Sequence, residues 1–140
     1  MTSTPIDPPS ASPPPRTVLV VDDNAGNRAM TVDMFQALGF AVLDAGSGRK
    51  ALALLDTHPE IALLFTDVRM PGMDGVALAR EAQALRPGLK VMLTSGYLDG
   101  APVRGYPFLR KPYRMRDFAA LVRWCGAGTG GSATVAPIPD

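Results

Sequence analysis

Short apolar runs alternate along the chain with stretches whose apolar residues recur at helical spacing. Residues 17–22 (TVLVVD) are a β-rich run that Asp22-Asp23-Asn24 breaks. Residues 25–38 then carry Met30, Met34 and Leu38 four apart with Phe35 beside them, the stripe of one helix face, and Gly39 is placed to end that helix. Residues 40–44 (FAVLD) read as a second strand. Ala51, Leu52, Leu54 and Leu55 mark a second helix that stops before Pro59. Residues 61–66 (IALLFT) are apolar everywhere but the last position, which suits a strand covered on both faces of a parallel sheet. Val76, Ala79, Ala82 and Leu85 mark a third helix, ending at Arg86-Pro87-Gly88. Residues 89–94 (LKVMLT) make a fourth strand and residues 107–110 (PFLR) a short fifth; Met115, Phe118, Leu121 and Val122 mark a closing helix.

This repeated strand–helix order predicts an α/β fold, a doubly wound five-stranded parallel sheet with helices on both faces. One unit is short. Residues 96–106 (GYLDGAPVRGY) hold three glycines and a proline, too few positions for two loops and an ordinary helix of about 11 residues. The fourth helix is therefore expected to be short or absent.

Composition sets the limits of the folded part. Six of the 14 prolines fall within residues 1–15, and residues 126–140 (GAGTGGSATVAPIPD) are rich in Gly, Ala and Pro; both stretches are expected to be disordered tails around a domain at 16–125. Fourteen basic residues against 13 acidic ones give no electrostatic reason to expect nucleic acid or an anionic membrane as partner. The single cysteine, Cys125, excludes an internal disulfide and a Cys-rich zinc site. No apolar run approaches the roughly 20 residues that span a bilayer, and the N-terminus lacks the basic-then-apolar pattern of a secretory signal. A cytoplasmic location is the expectation.

In an open parallel sheet, functional groups gather at the carboxyl ends of the strands. That rule selects Asp22 and Asp23 after the first strand, Asp67 after the third, Thr94 and Ser95 on the fourth and Lys111 after the fifth. Three carboxylates brought together repel one another unless a cation is present. Oxygen donors with open positions suit Mg²⁺. A carboxylate beside such an ion can attack a phosphoryl group and become an aspartyl phosphate, with Lys111 and the Thr94 hydroxyl placed to meet the phosphate oxygens. Taken singly, each element has a plainer reading: Asp-Asp-Asn as a helix cap, Asp67 as a turn residue beside the reversal marked by Pro71-Gly72 and Asp74-Gly75, Lys111 as an exposed lysine. Their common placement at successive strand ends is what favours chemistry.

Four segments carry a family resemblance: Val20-Val21-Asp22-Asp23-Asn24, Thr66-Asp67-Val68-Arg69-Met70-Pro71-Gly72-Met73-Asp74-Gly75, Leu93-Thr94-Ser95-Gly96-Tyr97 and Leu109-Arg110-Lys111-Pro112-Tyr113. Together they make residues 17–124 resemble the receiver domain of two-component response regulators. The resemblance implies a flavodoxin-like sheet in the order 2-1-3-4-5. It implies phosphoryl transfer to Asp67 from a histidine kinase or histidine phosphotransfer protein. It makes Asp22, Asp23, Asp67 and the backbone carbonyl of Arg69 the ligands of Mg²⁺. Thr94 becomes the switch hydroxyl, Lys111 the phosphate-binding lysine and Phe108 the aromatic that moves with the switch. Phe108 can fill or leave a pocket but offers no hydroxyl; Tyr97 and Tyr106 lie nearby and do. The Thr-Ser-Gly-Tyr segment is similar to receivers fused to hybrid histidine kinases and to stand-alone receivers with a degenerate fourth helix.

The output implied is a changed protein-binding surface, with the downstream target unnamed, a homodimer left open, and the protein assisting its own phosphorylation and dephosphorylation without being an enzyme. A phosphorylation-independent scaffold is the alternative. A phosphatase of the haloacid-dehalogenase type fits poorly, because it needs Asp-x-Asp near the first strand. Gly46-Ser47-Gly48-Arg49-Lys50 lacks the spacing of a phosphate loop and reads as a connection into the second helix. His58, the one histidine, reads as an exposed residue at a helix end.

Overall fold

The computed structural model describes residues 17–95, 106–111, 113–117 and 120. Five strands, β1 (Thr17–Val21), β2 (Ala41–Ala45), β3 (Ile61–Asp67), β4 (Lys90–Ser95) and β5 (Phe108–Arg110), form one sheet in the order β2-β1-β3-β4-β5, every pair parallel. Helices α1 (Ala25–Ala37), α2 (Gly48–Thr57) and α3 (Gly75–Leu85) connect them. The doubly wound sheet is thus the one the sequence predicts. The expected fourth helix, the two tails and most of the closing helix lie outside the described residues.

The two faces of the sheet carry separate cores. Val18, Val20, Leu63, Phe65, Met92 and Leu109 point to one side, where α1 supplies Phe35. Leu19, Val21, Leu64, Val91 and Leu93 point to the other, beneath α2 and α3. Alternation along β1 explains this division directly. In β3 it fails at one place. Thr17 pairs with Ile61 but Val18 with Leu63, so Ala62 is an extra residue in the ladder. Ile61 therefore joins Leu64 on the α2/α3 side.

Two helix faces differ from the sequence expectation. On α1 the buried residues are Thr31 and Phe35, while Met30 is 52% exposed. Met30 stands about 100–140° around the helix from Thr31 and Phe35, whereas Met34 and Leu38, further along the expected row, pack against the core. On α3 Leu78, Ala79 and Ala82 are buried and Leu85 is 54% exposed, because Leu85 lies in the last turn before the chain leaves for β4. Ser47 caps α2 through Lys50 N–H, so the helix starts inside the 46–50 segment and not after it.

The end of α1 has a local cause. Gly39 adopts φ +96°, Phe40 N–H donates to the Phe35 carbonyl, and Gly39 N–H to that of Gln36. The Phe40 ring meets Phe35 edge-on with centroids 5.6 Å apart, the apolar contact that accompanies this left-handed stop. A second backbone device fixes the α2–β3 connection. Arg86, just beyond α3, donates to the carbonyls of His58 (3.2 Å), Pro59 (2.8 Å) and Ile61. The His58 carbonyl also accepts from Ile61 N–H at 3.2 Å, so the guanidinium adds a charged donor to a turn that is already hydrogen-bonded.

Gly75 opens α3 against the backbone of β3. A Cβ built there would stand 2.1 Å from the Asp67 carbonyl oxygen. Its N–H donates to the Val68 carbonyl at 2.8 Å. Asp74, which the sequence groups with Gly75 as a reversal, caps the helix through Ala77 N–H at 2.9 Å; the reversal itself lies at Gly72, φ +84°.

Gly75→Ala is expected to destabilise the fold by more than ~2 kcal/mol despite alanine's better helix propensity. Gly26→Ala on α1, whose Cβ would meet only Asn24 Oδ1 at 3.4 Å, should be neutral or stabilise by up to ~1 kcal/mol. Urea denaturation of both variants reads the contrast. Arg86→Ala should cost about 2 kcal/mol in the same assay by removing the charged donor that ties the α2–β3 connection to the end of α3.

Candidate functional site

The order β2-β1-β3 makes the chain leave β1 and β3 in opposite directions, which opens a crevice at their carboxyl ends. Asp22 follows β1 directly and Asp67 is the last residue of β3. Asp67 is the ladder partner of Thr94. Lys111 follows β5, and its N–H donates to the Ser95 carbonyl at 3.0 Å, which fixes the segment against β4. Asp22, Asp67 and Lys111, with Asp23, Asn27, Arg69 and Asp74, line a cleft of about 910 Å³. The strand-end placement read from the sequence is therefore correct for Asp22, Asp23, Asp67, Thr94 and Lys111.

The carboxylates of Asp22, Asp23 and Asp67 each bring an oxygen within 4.8 Å of the others. Asp22 is buried, Asp67 is half-buried and Asp23 is exposed. Lys111 Nζ stands between two of them, 3.2 Å from Asp22 Oδ2 and 3.3 Å from Asp67 Oδ2. Burial pushes the Asp67 carboxyl above its ordinary value; the Lys111 ammonium opposes that shift, Asp22 reinforces it, and the Arg69 backbone N–H opposes it again. Burial alone would lower the Lys111 ammonium, but the carboxylates of Asp67 and Asp22 outweigh it and hold the ammonium above its usual range.

Thr94 is buried, and its Oγ1 finds no hydrogen-bond partner among the described residues. A buried hydroxyl left in this way is costly unless something else meets it. The neighbouring Thr66 hydroxyl, by contrast, donates to the Asp67 carbonyl at 3.0 Å. The donor set of three convergent carboxylates beside an open cleft fits a hard, oxygen-seeking divalent ion that keeps some of its water. No histidine or cysteine belongs to this group.

Arg69 lines the cleft two residues beyond Asp67, with its side chain exposed. Phe108 is half-buried and packs against the core under α2 and α3, so it fills space on the sheet face below the site. Tyr106 donates its hydroxyl to Gln83 Oε1 at 3.3 Å. Tyr97 and Gly96 lie outside the described residues. His58 is not at the site; it pairs with Glu60 at 2.9 Å.

The contacts of three residues around the site add to what the sequence indicates. Arg28 bonds the Asp22 carbonyl and Asp44. Gly75 supports the backbone of Asp67. Tyr113 exchanges a hydrogen bond of 2.8 Å with Thr31 on α1 and meets Phe65 edge-on, two residues from Lys111 and from Asp67 respectively. The Gly75 signal was present, a glycine at the first position of a capped helix; the other two needed the fold.

Comparison with known proteins agrees with this geometry. Residues 18–123 match the response regulator receiver domain family. The response regulator receiver protein CpdR of Brucella abortus (strain 2308) is 32% identical over 108 residues, which cover 73% of this chain and 89% of CpdR. The sensor kinase CckA of the same organism is 35% identical over 114 residues, 76% of this chain but 12% of the kinase. The chain thus spans nearly all of one relative and a small part of the other. Among solved structures, the receiver domain from the hybrid histidine kinase CckA superposes with a TM-score of 0.68 at 33% identity, covering 78% of this chain and 97% of that one. A receiver domain protein from Clostridium thermocellum superposes with a TM-score of 0.73 at 26% identity, covering 79% and 93%. On the strength of the family match and of the CpdR relative, the chain belongs to the response regulator receiver domain family.

Proposed function

We propose that this receiver accepts a phosphoryl group on Asp67 from the phosphohistidine of a histidine kinase or phosphotransfer protein. The observation that carries the reading is Lys111 Nζ bridging Asp22 and Asp67 beside the unpartnered Thr94 hydroxyl. In this reaction an Asp67 carboxylate oxygen forms the new bond to phosphorus as the bond to the donor nitrogen breaks. Lys111 releases its Asp67 contact and binds a phosphoryl oxygen. Thr94 Oγ1 donates to another. Asp22, Asp23, Asp67 and the Arg69 carbonyl would hold Mg²⁺, which supplies positive charge against the phosphoryl oxygens when bound.

Movement of Thr94 toward the phosphate would draw on the Phe108 region and shift the balance between two arrangements of that face. The output is a changed surface for a partner protein. Asp67 loses its phosphate to water at the same site, so the chain assists both its own phosphorylation and its own dephosphorylation. A cytoplasmic setting follows from the kinase partner. Among the described residues no helix is long and apolar enough to cross a membrane.

Incubation with Mg²⁺ and acetyl phosphate is expected to add the mass of one phosphoryl group, and chelation of the ion should abolish it. An adduct that persists in Asp67→Asn removes Asp67 as the acceptor, and no adduct at all removes the proposal in favour of a phosphorylation-independent scaffold. A pH-dependent prediction follows from the raised Asp67 carboxyl. The folded state holds this proton to a higher pH than the unfolded one, so ionisation subtracts stability as pH rises above the ordinary value of 3.8. In chelator, Asp67→Asn should melt a few degrees above the parent at neutral pH. That advantage should disappear below pH 3.8, where both states are protonated.

A further inference from the structure

We infer that Arg28 is a positioning residue: held by Asp44, it locks the backbone of Asp22 and so presets the Asp22–Asp23 pair for a divalent ion. The inference rests on the metal-binding role proposed for that pair. Arg28 is the fourth residue of α1. Its Nη1 reaches back six residues to the Asp22 carbonyl at 2.8 Å, while its Nε bonds Asp44 Oδ2 on β2 at 2.9 Å. The guanidinium therefore closes a ring that runs from Asp22 through Asp23, the Asn24 cap and the first turn of α1.

Each polar group of Asp22 has a partner in this arrangement. Its N–H donates to the Ala45 carbonyl at 3.2 Å, its carbonyl accepts from Arg28, Oδ1 accepts from Asn24 N–H at 2.9 Å and Oδ2 faces Lys111. Gly46 leaves the space the guanidinium uses; a Cβ there would sit 3.1 Å from Nη1. The Asp22-to-Asn24 turn must hold adjacent carboxylates beside Asp67 against their repulsion. A turn free to splay would separate them, and ion binding would have to restore the geometry at the expense of affinity. A planar fork that meets two acceptors at once resists splaying in a way a lysine ammonium does not. Outer partners of this kind are typically worth 10–100-fold in metal affinity.

Isothermal titration with Mg²⁺ tests the inference on the full chain. Arg28→Met and Arg28→Lys are both expected to weaken binding by about tenfold or more. At saturating Mg²⁺ the rate of phosphorylation by acetyl phosphate should return to near the parent value, since Arg28 does not touch the reacting atoms. Asp44→Ala, which leaves the Asp22 bond possible but unoriented, should give a smaller loss in the same direction and decides the matter if the Arg28 variants do not fold. Parent-like affinity in Arg28→Lys would show that only positive charge matters and overturn the clamp. Parent-like affinity in Asp44→Ala would overturn the orienting role. A parent chain that binds no Mg²⁺ would instead remove the metal reading on which the inference stands.

Discussion

The ammonium of Lys111, set between Asp22 and Asp67, is the interaction around which the carboxyl edge of the sheet is organised. Three carboxylates share a space in which each repels the other two, and one of them is buried. The three residues of β5 bring the lysine into that space by pairing with β4. β3 does the same for Asp67 by lying next to both β1 and β4. The central position of β3 thus has an electrostatic consequence: it is the strand whose end can be reached from Asp22 on one side and Thr94 on the other.

Much of this was legible in the sequence because strand ends are abrupt. An apolar run that stops at an acidic residue states both where the strand finishes and which group stands there, as at Val21-Asp22 and near Thr66-Asp67. Helix faces were less legible. Thr31 is buried on α1 with its hydroxyl bonded to Tyr113, and a polar residue so placed leaves no apolar signal while its exposed neighbour Met30 does. The extra residue Ala62 could not be seen, because a strand that is apolar on both faces has no alternation to interrupt. Nothing in the sequence links Arg28 to Asp44; their pairing depends on β2 lying beside β1.

Below the site, the α1 side of the sheet carries a line of rings from Phe40 through Phe35 and Phe65 to Tyr113, with successive centroids 5.6, 5.3 and 6.0 Å apart. Phe65 and Tyr113 lie two residues from Asp67 and Lys111, on their own chain segments. Asp67 and Lys111 are therefore each two residues from one of two rings already packed together. The half-buried Tyr113, its hydroxyl held by Thr31, ties the same segment to α1; desolvation raises that phenol above its ordinary value. Edge-to-face packing of this kind holds orientation as well as area.

The bare Cα of Gly75 gives this scaffold a mechanical property. Where most helices rest on a sheet through a cushion of side chains, the first turn of α3 touches the main chain of Asp67 itself. A cushion absorbs small displacements by rotamer adjustment; bare backbone has no such compliance. A displacement of the backbone at the end of β3 would therefore press directly on the first turn of α3, with no side chain between them to yield.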